Sequence, residues 1–159
     1  MNPRHTEFTI HSSGSYLTPH GPGGWASVVT REGQRIAIHS GSEQETTRDR
    51  MELVAVIEGL KSTPEGCSVT LVTGSRHVHG GGSVWWRRWE KHRYSRVKDQ
   101  DLWKSLIALI KTRSCLFLRS SGLRVKGLNQ EVIRLAENEA WDRRISTIKP
   151  VPEHLIYAE

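Results

Sequence analysis

Cysteine is nearly absent from this chain: Cys67 and Cys115 are the only two among 159 residues. Their wide spacing excludes a disulfide framework and any C-x-x-C metal or redox motif. They read as reduced, buried, small hydrophobes in a reducing compartment. Also missing is any apolar run near the ~20 residues of a membrane span, so no membrane partner is expected. The opening residues, Met1-Asn2-Pro3-Arg4-His5, contain no apolar stretch of the signal-peptide kind. An intracellular protein, cytoplasmic or associated with nucleic acid, is the expectation. Internal repeats and low-complexity linkers are lacking too. A single domain over residues 1–148 is expected, with a tail over 149–159 that Pro150 and Pro152 turn away from the last helix.

What the chain has is positive charge, and it is clustered. The formal net charge is +6 and the isoelectric point about 9.7. Between Trp85 and Lys98 stand Arg87, Arg88, Lys91, Arg93, Arg96 and Lys98, opposed by the single acid Glu90. Such a patch attracts phosphate backbones through counterion release, whatever the base sequence. Tryptophans among the basic residues add surfaces for stacking.

Hydrophobic spacing gives the elements. Residues 7–11 read as a strand ending at Ser13-Gly14-Ser15, and 25–30 as a second strand. A hairpin turn at 31–34 leads to a third strand over 35–40. The period then changes: Leu53, Val56, Ile57 and Leu60 form one helical stripe, capped by Thr46 or Thr47. Residues 68–72 read as a fourth strand, parallel to the first. A helical turn after Ser75 is expected to stop at Gly80-Gly81-Gly82, followed by a Trp/Arg helix to about Arg93. Another helix spans 101–112 with Leu102, Leu106, Leu109 and Ile110 inward. Residues 115–118 make a fifth strand, and Val132, Leu135, Ala136 and Ala140 mark a last helix capped by Asn129. The order predicts an α/β fold with a five-stranded mixed sheet flanked by helices.

Four segments then stand out in order: Gly21-Pro22-Gly23-Gly24-Trp25, Arg50-Met51-Glu52-Leu53, Thr73-Gly74-Ser75 and Asp101-Leu102-Trp103. Together they resemble the type 1 ribonuclease H family, over residues 6 to 145. The resemblance implies the ribonuclease H-like fold and cleavage of the RNA strand of an RNA–DNA hybrid. That chemistry uses two magnesium ions held by four carboxylates, about 4 Å apart. Hard dications need oxygen ligands and negative charge. Here the four matching positions are Ser13, Glu52, Gly74 and Ile133, so only Glu52 supplies a carboxylate. An alternative register chooses Asn138 for the fourth, again not an acid, and Leu123 stands at the family's mobile histidine. One carboxylate does not hold two dications against their repulsion. No metal cofactor and no catalytic residue are therefore expected, and Glu52 reads as a helix acid satisfied by Arg48, Arg76 or a hydroxyl. His11, His77 and His79 fall near the site without a metal-binding pattern.

The side that grips substrate in the family is better kept. The resemblance points to nucleic-acid contacts at Arg48, Arg76, Trp85, Lys98 and Trp103, and the charge cluster adds Arg87, Arg88, Lys91 and Arg93. Trp89 and Trp103 also have a plain reading as core residues. The leading expectation is an inactive domain that binds RNA–DNA hybrid or another duplex through a basic, Trp-rich protrusion. Its rivals are a hybrid ribonuclease with a rewired site and an assembly subunit with a protein partner in a nucleoprotein complex.

Overall fold

The central strand β1 (Glu7–Tyr16) has a neighbour on each side. It runs antiparallel to β2 (Gly23–Arg31), which pairs antiparallel with β3 (Gln34–Glu43). On its other edge β1 runs parallel to β4 (Ser68–Thr73), and β4 runs parallel to β5 (Ser114–Arg119). The sheet order is β3-β2-β1-β4-β5. The structure is a computed structural model that describes residues 7–18, 21–120 and 126–148. The predicted tail and Leu123 lie outside these residues.

Helix α1 (Arg48–Lys61) buries Leu53, Val56, Ile57 and Leu60 as its spacing predicts. Burying one such side chain contributes about 1.5–3 kcal/mol, so this stripe fixes α1 on the sheet. Thr47, not Thr46, is the cap: its Oγ accepts from the Arg50 N–H at 3.2 Å. Close approach is possible at Gly59, where a Cβ would stand 2.7 Å from Ile10 Cγ2. The core on this side joins β1, β4 and α1 to α4 (Gln100–Lys111) through Ile10, Leu71, Trp103, Leu106 and Ile107. The opposite face carries α5 (Lys126–Thr147), seated through Val132 and Ala136 on Ala26.

Three local expectations are corrected. Gly14 does not end β1, which stays paired with β2 as far as Tyr16 opposite Gly23. Glycine serves packing there, since a Cβ would lie 2.4 Å from the Glu52 backbone N. The glycines at 80–82 do not stop a helix either. α2 (Arg76–Gly80) continues through a π turn (Gly81–Trp85) into α3 (Trp86–Lys91). Added Cβ atoms at Gly80, Gly81 and Gly82 would meet the rings of Trp85, Trp103 and Phe117 at 2.5, 2.2 and 2.4 Å. The three glycines let aromatic rings touch backbone. Asn129 is no cap, because α5 already begins at Lys126. In α4 the fully inward stripe is Trp103, Leu106, Ile107 and Ile110, with Leu102 and Leu109 packed at its margin.

Candidate nucleic-acid interface

Parallel pairing brings the candidate site together. Ser12 pairs with Thr73 and Thr73 with Arg119, so the carboxyl ends of β4 and β5 lie side by side next to Ser12 in β1, which continues to Tyr16. Ser13 and Gly74 each stand one residue beyond the first pair. Glu52 of α1 lines a hollow with Gly74, and Ile133 of α5 lines a neighbouring one with Ser13. Two hollows adjoin there and share Arg48. One, of about 190 Å³, is lined by Ser13, Arg48, Ile133 and Glu137 among others. The other, of about 410 Å³, is lined by Arg48, Asp49, Glu52, Gly74, Ser75, Arg76, His77 and Arg119. Asn138, the alternative fourth position, lines neither.

Glu52 is the buried acid of this site, only 4% exposed. Its carboxylate accepts the backbone N–H of Gly14, while Arg48 Nε stands 3.9 Å from Oε1. Arg48 is two-thirds exposed, so water screens that pair. Oε2 has no partner among the described residues. Burial pushes the carboxyl up to about 7, against smaller opposing effects of the Gly14 N–H and of Arg48. Arg76 does not pair with it. The expected satisfaction of Glu52 is thus only partial.

The remaining donors do not fit a pair of magnesium ions. Ser13 offers a neutral hydroxyl, Gly74 no side chain and Ile133 a hydrocarbon. Among the described residues no three His, Cys, Asp or Glu side chains come together in a way that could hold a metal ion. His77 packs against the Trp103 ring at 5.2 Å and 82°. His11 is buried in β1, and both its ring nitrogens lack partners among the described residues. Burial holds its pKa below the usual histidine value.

The basic segment expected to form a protrusion runs from the π turn to the start of α4. Arg87, Arg88, Lys91, Arg93, Arg96 and Lys98 are all exposed, and Trp85 is 45% exposed. Arg87 lies over the Trp86 ring, its Cζ 4.6 Å from the centroid, with Lys111 Nζ at 5.7 Å. Arg93, Tyr94 and Arg96 adopt left-handed backbone conformations, and Tyr94 alone of the three turns into the core. Arg50 secures the end of the protrusion: it donates to Asp99 at 3.0 Å and to both Asp101 oxygens at 3.1–3.2 Å. Bidentate pairing of this kind fixes geometry as well as charge.

Trp103 corrects the expected set of nucleic-acid contacts. It is fully buried, with Trp89 edge-on to it at 4.7 Å and 69°. A tryptophan sealed between α4 and the π turn packs the root of the protrusion and does not reach a ligand. Arg119 was absent from the sequence-based set. Its signal was the parallel order β1-β4-β5, which places the last residue of β5 beside Thr73.

The sequence pattern of the RNase H family matches residues 5–142. The chain belongs to the RNase H family. Its likeness is to the type 1 enzymes: it is 36% identical over 137 residues to a ribonuclease HI of Helicobacter pylori, covering 86% of this chain and 95% of that one. A ribonuclease H from a Sulfurovum species is 41% identical over 101 residues, or 64% of this chain and 68% of the relative. The fold is matched by LC9-RNase H1, described as a type 1 RNase H with the type 2 active-site motif. That match has a TM-score of 0.71 at 21% identity and covers 97% of this chain and 92% of the neighbour. LC11-RNase H1, solved in complex with an RNA/DNA hybrid, aligns with a TM-score of 0.62 at 18% identity, over 87% of this chain and 99% of its own. Among the described residues of this RNase H chain, no helix is long and apolar enough to cross a membrane.

Proposed function

We propose that this chain is an RNase H domain that binds nucleic acid, an RNA–DNA hybrid or a related duplex, without two-metal cleavage. The observation that carries the reading is the composition of the site. At the four positions where the family has carboxylates, this chain has one buried carboxyl, a serine, a glycine and an isoleucine; the hollows around them are lined by Arg48, Arg76 and Arg119, with Asp49 and Glu137 as their other acids. Two-ion catalysis depends on negative charge to hold the ions together. Hybrid binding draws support from the family, from the complex formed by LC11-RNase H1, and from the exposed cations of the protrusion. Magnesium is not a cofactor in this reading, and any protein partner would join through a nucleoprotein assembly.

The second reading is a hybrid ribonuclease with a rewired site. The names of its relatives favour it, since they are ribonucleases H. A titration of pure protein against hybrid, double-stranded DNA, double-stranded RNA and single strands, with and without magnesium, separates the two. Binding that is indifferent to magnesium, with every strand intact, is the expected outcome. Magnesium-dependent cleavage that disappears in Glu52→Gln would establish the enzyme instead.

A further inference from the structure

We propose that the hollow among Arg48, Arg76 and Arg119 binds a single phosphate group of the nucleic-acid backbone directly, as an anion site where the family's fold holds cations. This rests on the binding reading above and names the chemical group that the site takes. The three guanidinium groups come from α1, α2 and the end of β5, yet line one open hollow of about 410 Å³. Against them stand only Asp49 and the buried Glu52. Arg76 and Arg119 have no ion-pair partner among the described residues, and Arg48 reaches Glu52 only at 3.9 Å.

Arg119 is the partly enclosed member of the three. Its Nε is shut away from solvent and has no hydrogen-bond partner among the described residues. That N–H is closed to the hollow as it is to solvent, so the anion would be met by the Nη groups of Arg119, which are not among the shut-away unpartnered atoms. Ser75 adds a second donor. Its Oγ already accepts from the Val78 N–H at 3.1 Å, which leaves the hydroxyl proton free to point into the hollow. Guanidinium groups match phosphate oxygens in bidentate geometry, and a dication would be repelled by the same three charges. The hollow is open enough for a phosphate that still carries its two sugar esters.

Inorganic phosphate is the probe, titrated by calorimetry into the full chain at constant ionic strength without magnesium, and then used to compete with bound hybrid. Saturable phosphate binding is expected, with competition against the hybrid. Arg76→Gln should weaken phosphate binding about tenfold, the size of one charge-assisted hydrogen bond. Arg119→Gln should do the same. Lys61→Gln, which removes an exposed charge at the far end of α1, should change phosphate binding less than twofold. Arg76 is exposed, so its variant remains informative if Arg119→Gln fails to fold. Phosphate that does not bind, or binds parent, Arg76→Gln and Lys61→Gln alike, overturns the anion site. Hybrid binding in that same experiment would leave the broader reading standing. Phosphate held through Arg76 by a chain that binds no nucleic acid would uphold the anion site and overturn the broader reading.

Discussion

The cations of the protrusion come from one continuous run, residues 85–98, and stand in solvent. The arginines of the hollow come from three separate elements and surround a buried acid. The first region gathers its charge at little cost, because exposed Arg and Lys keep their hydration. The second is set by the sheet: its groups meet because β4 and β5 end together beside β1. A solvated patch supplies attraction that salt screens readily, whereas a partly enclosed site supplies geometry that salt disturbs less. In the binding reading proposed above the two regions divide the work: the basic segment draws a duplex in and the hollow fixes its position.

The largest effect should follow from giving the hollow back its acids. Gly74 has no left-handed backbone, and a Cβ there would meet Ser120 Oγ at 3.4 Å, so aspartate fits. The triple variant Ser13→Asp, Gly74→Asp and Ile133→Asp should acquire magnesium-dependent hybrid cleavage that the proposal expects the parent to lack. A folded triple variant that binds hybrid yet never cuts would count against Ile133 as the fourth position. Next in size is the root of the protrusion. Trp103→Ala should cost about 3–5 kcal/mol of stability in urea unfolding, as expected for a fully buried tryptophan. Trp85→Ala should cost far less stability but weaken single-strand or hybrid binding by about 1–3 kcal/mol if a base stacks there. Equal stability losses in both would erase the distinction between root and surface.

Glu52 sharpens the comparison through pH. Its folded pKa of about 7 lies above the ordinary value of 4.5. Between those two values the native state keeps a proton that the unfolded chain has released. The stabilising contribution is present below pH 4.5, falls as pH rises, and is lost above about 7. Glu52→Gln should therefore be more stable than the parent at about pH 8, by up to roughly 3 kcal/mol, and equal to it near pH 4. Thermal melts across that range check this, and a variant less stable at the higher pH would contradict it. The smallest structural effect belongs to the protrusion. Replacing Arg87, Arg88 and Arg93 by alanine should leave stability within about 0.5 kcal/mol. Binding should weaken, with the salt slope falling by about 0.9 for each B-DNA-like phosphate that the variant no longer neutralises.

The difference between the regions also explains what could be read from the sequence. The five strands, the antiparallel meander, the parallel β4 and the α1 stripe were legible because periodicity and turn residues report burial locally; the parallel place of β5 beside β4 was not read. The exposed basic segment was legible for the same reason, as a run of charge. Glycine misled twice: at Gly14 and at 80–82 its cause is a neighbouring atom from another element, which no local pattern shows. Trp103 misled because an aromatic among cations has the same letters whether it faces inward or outward. Arg119 escaped notice since its role depends on two strand pairings at once.

The most direct test of the central claim is hybrid binding and hybrid cleavage measured on one preparation, with and without magnesium. The account predicts the same affinity in both conditions at matched ionic strength, with the RNA strand left whole. Magnesium-dependent cleavage by the pure protein, abolished in Glu52→Gln, would contradict it.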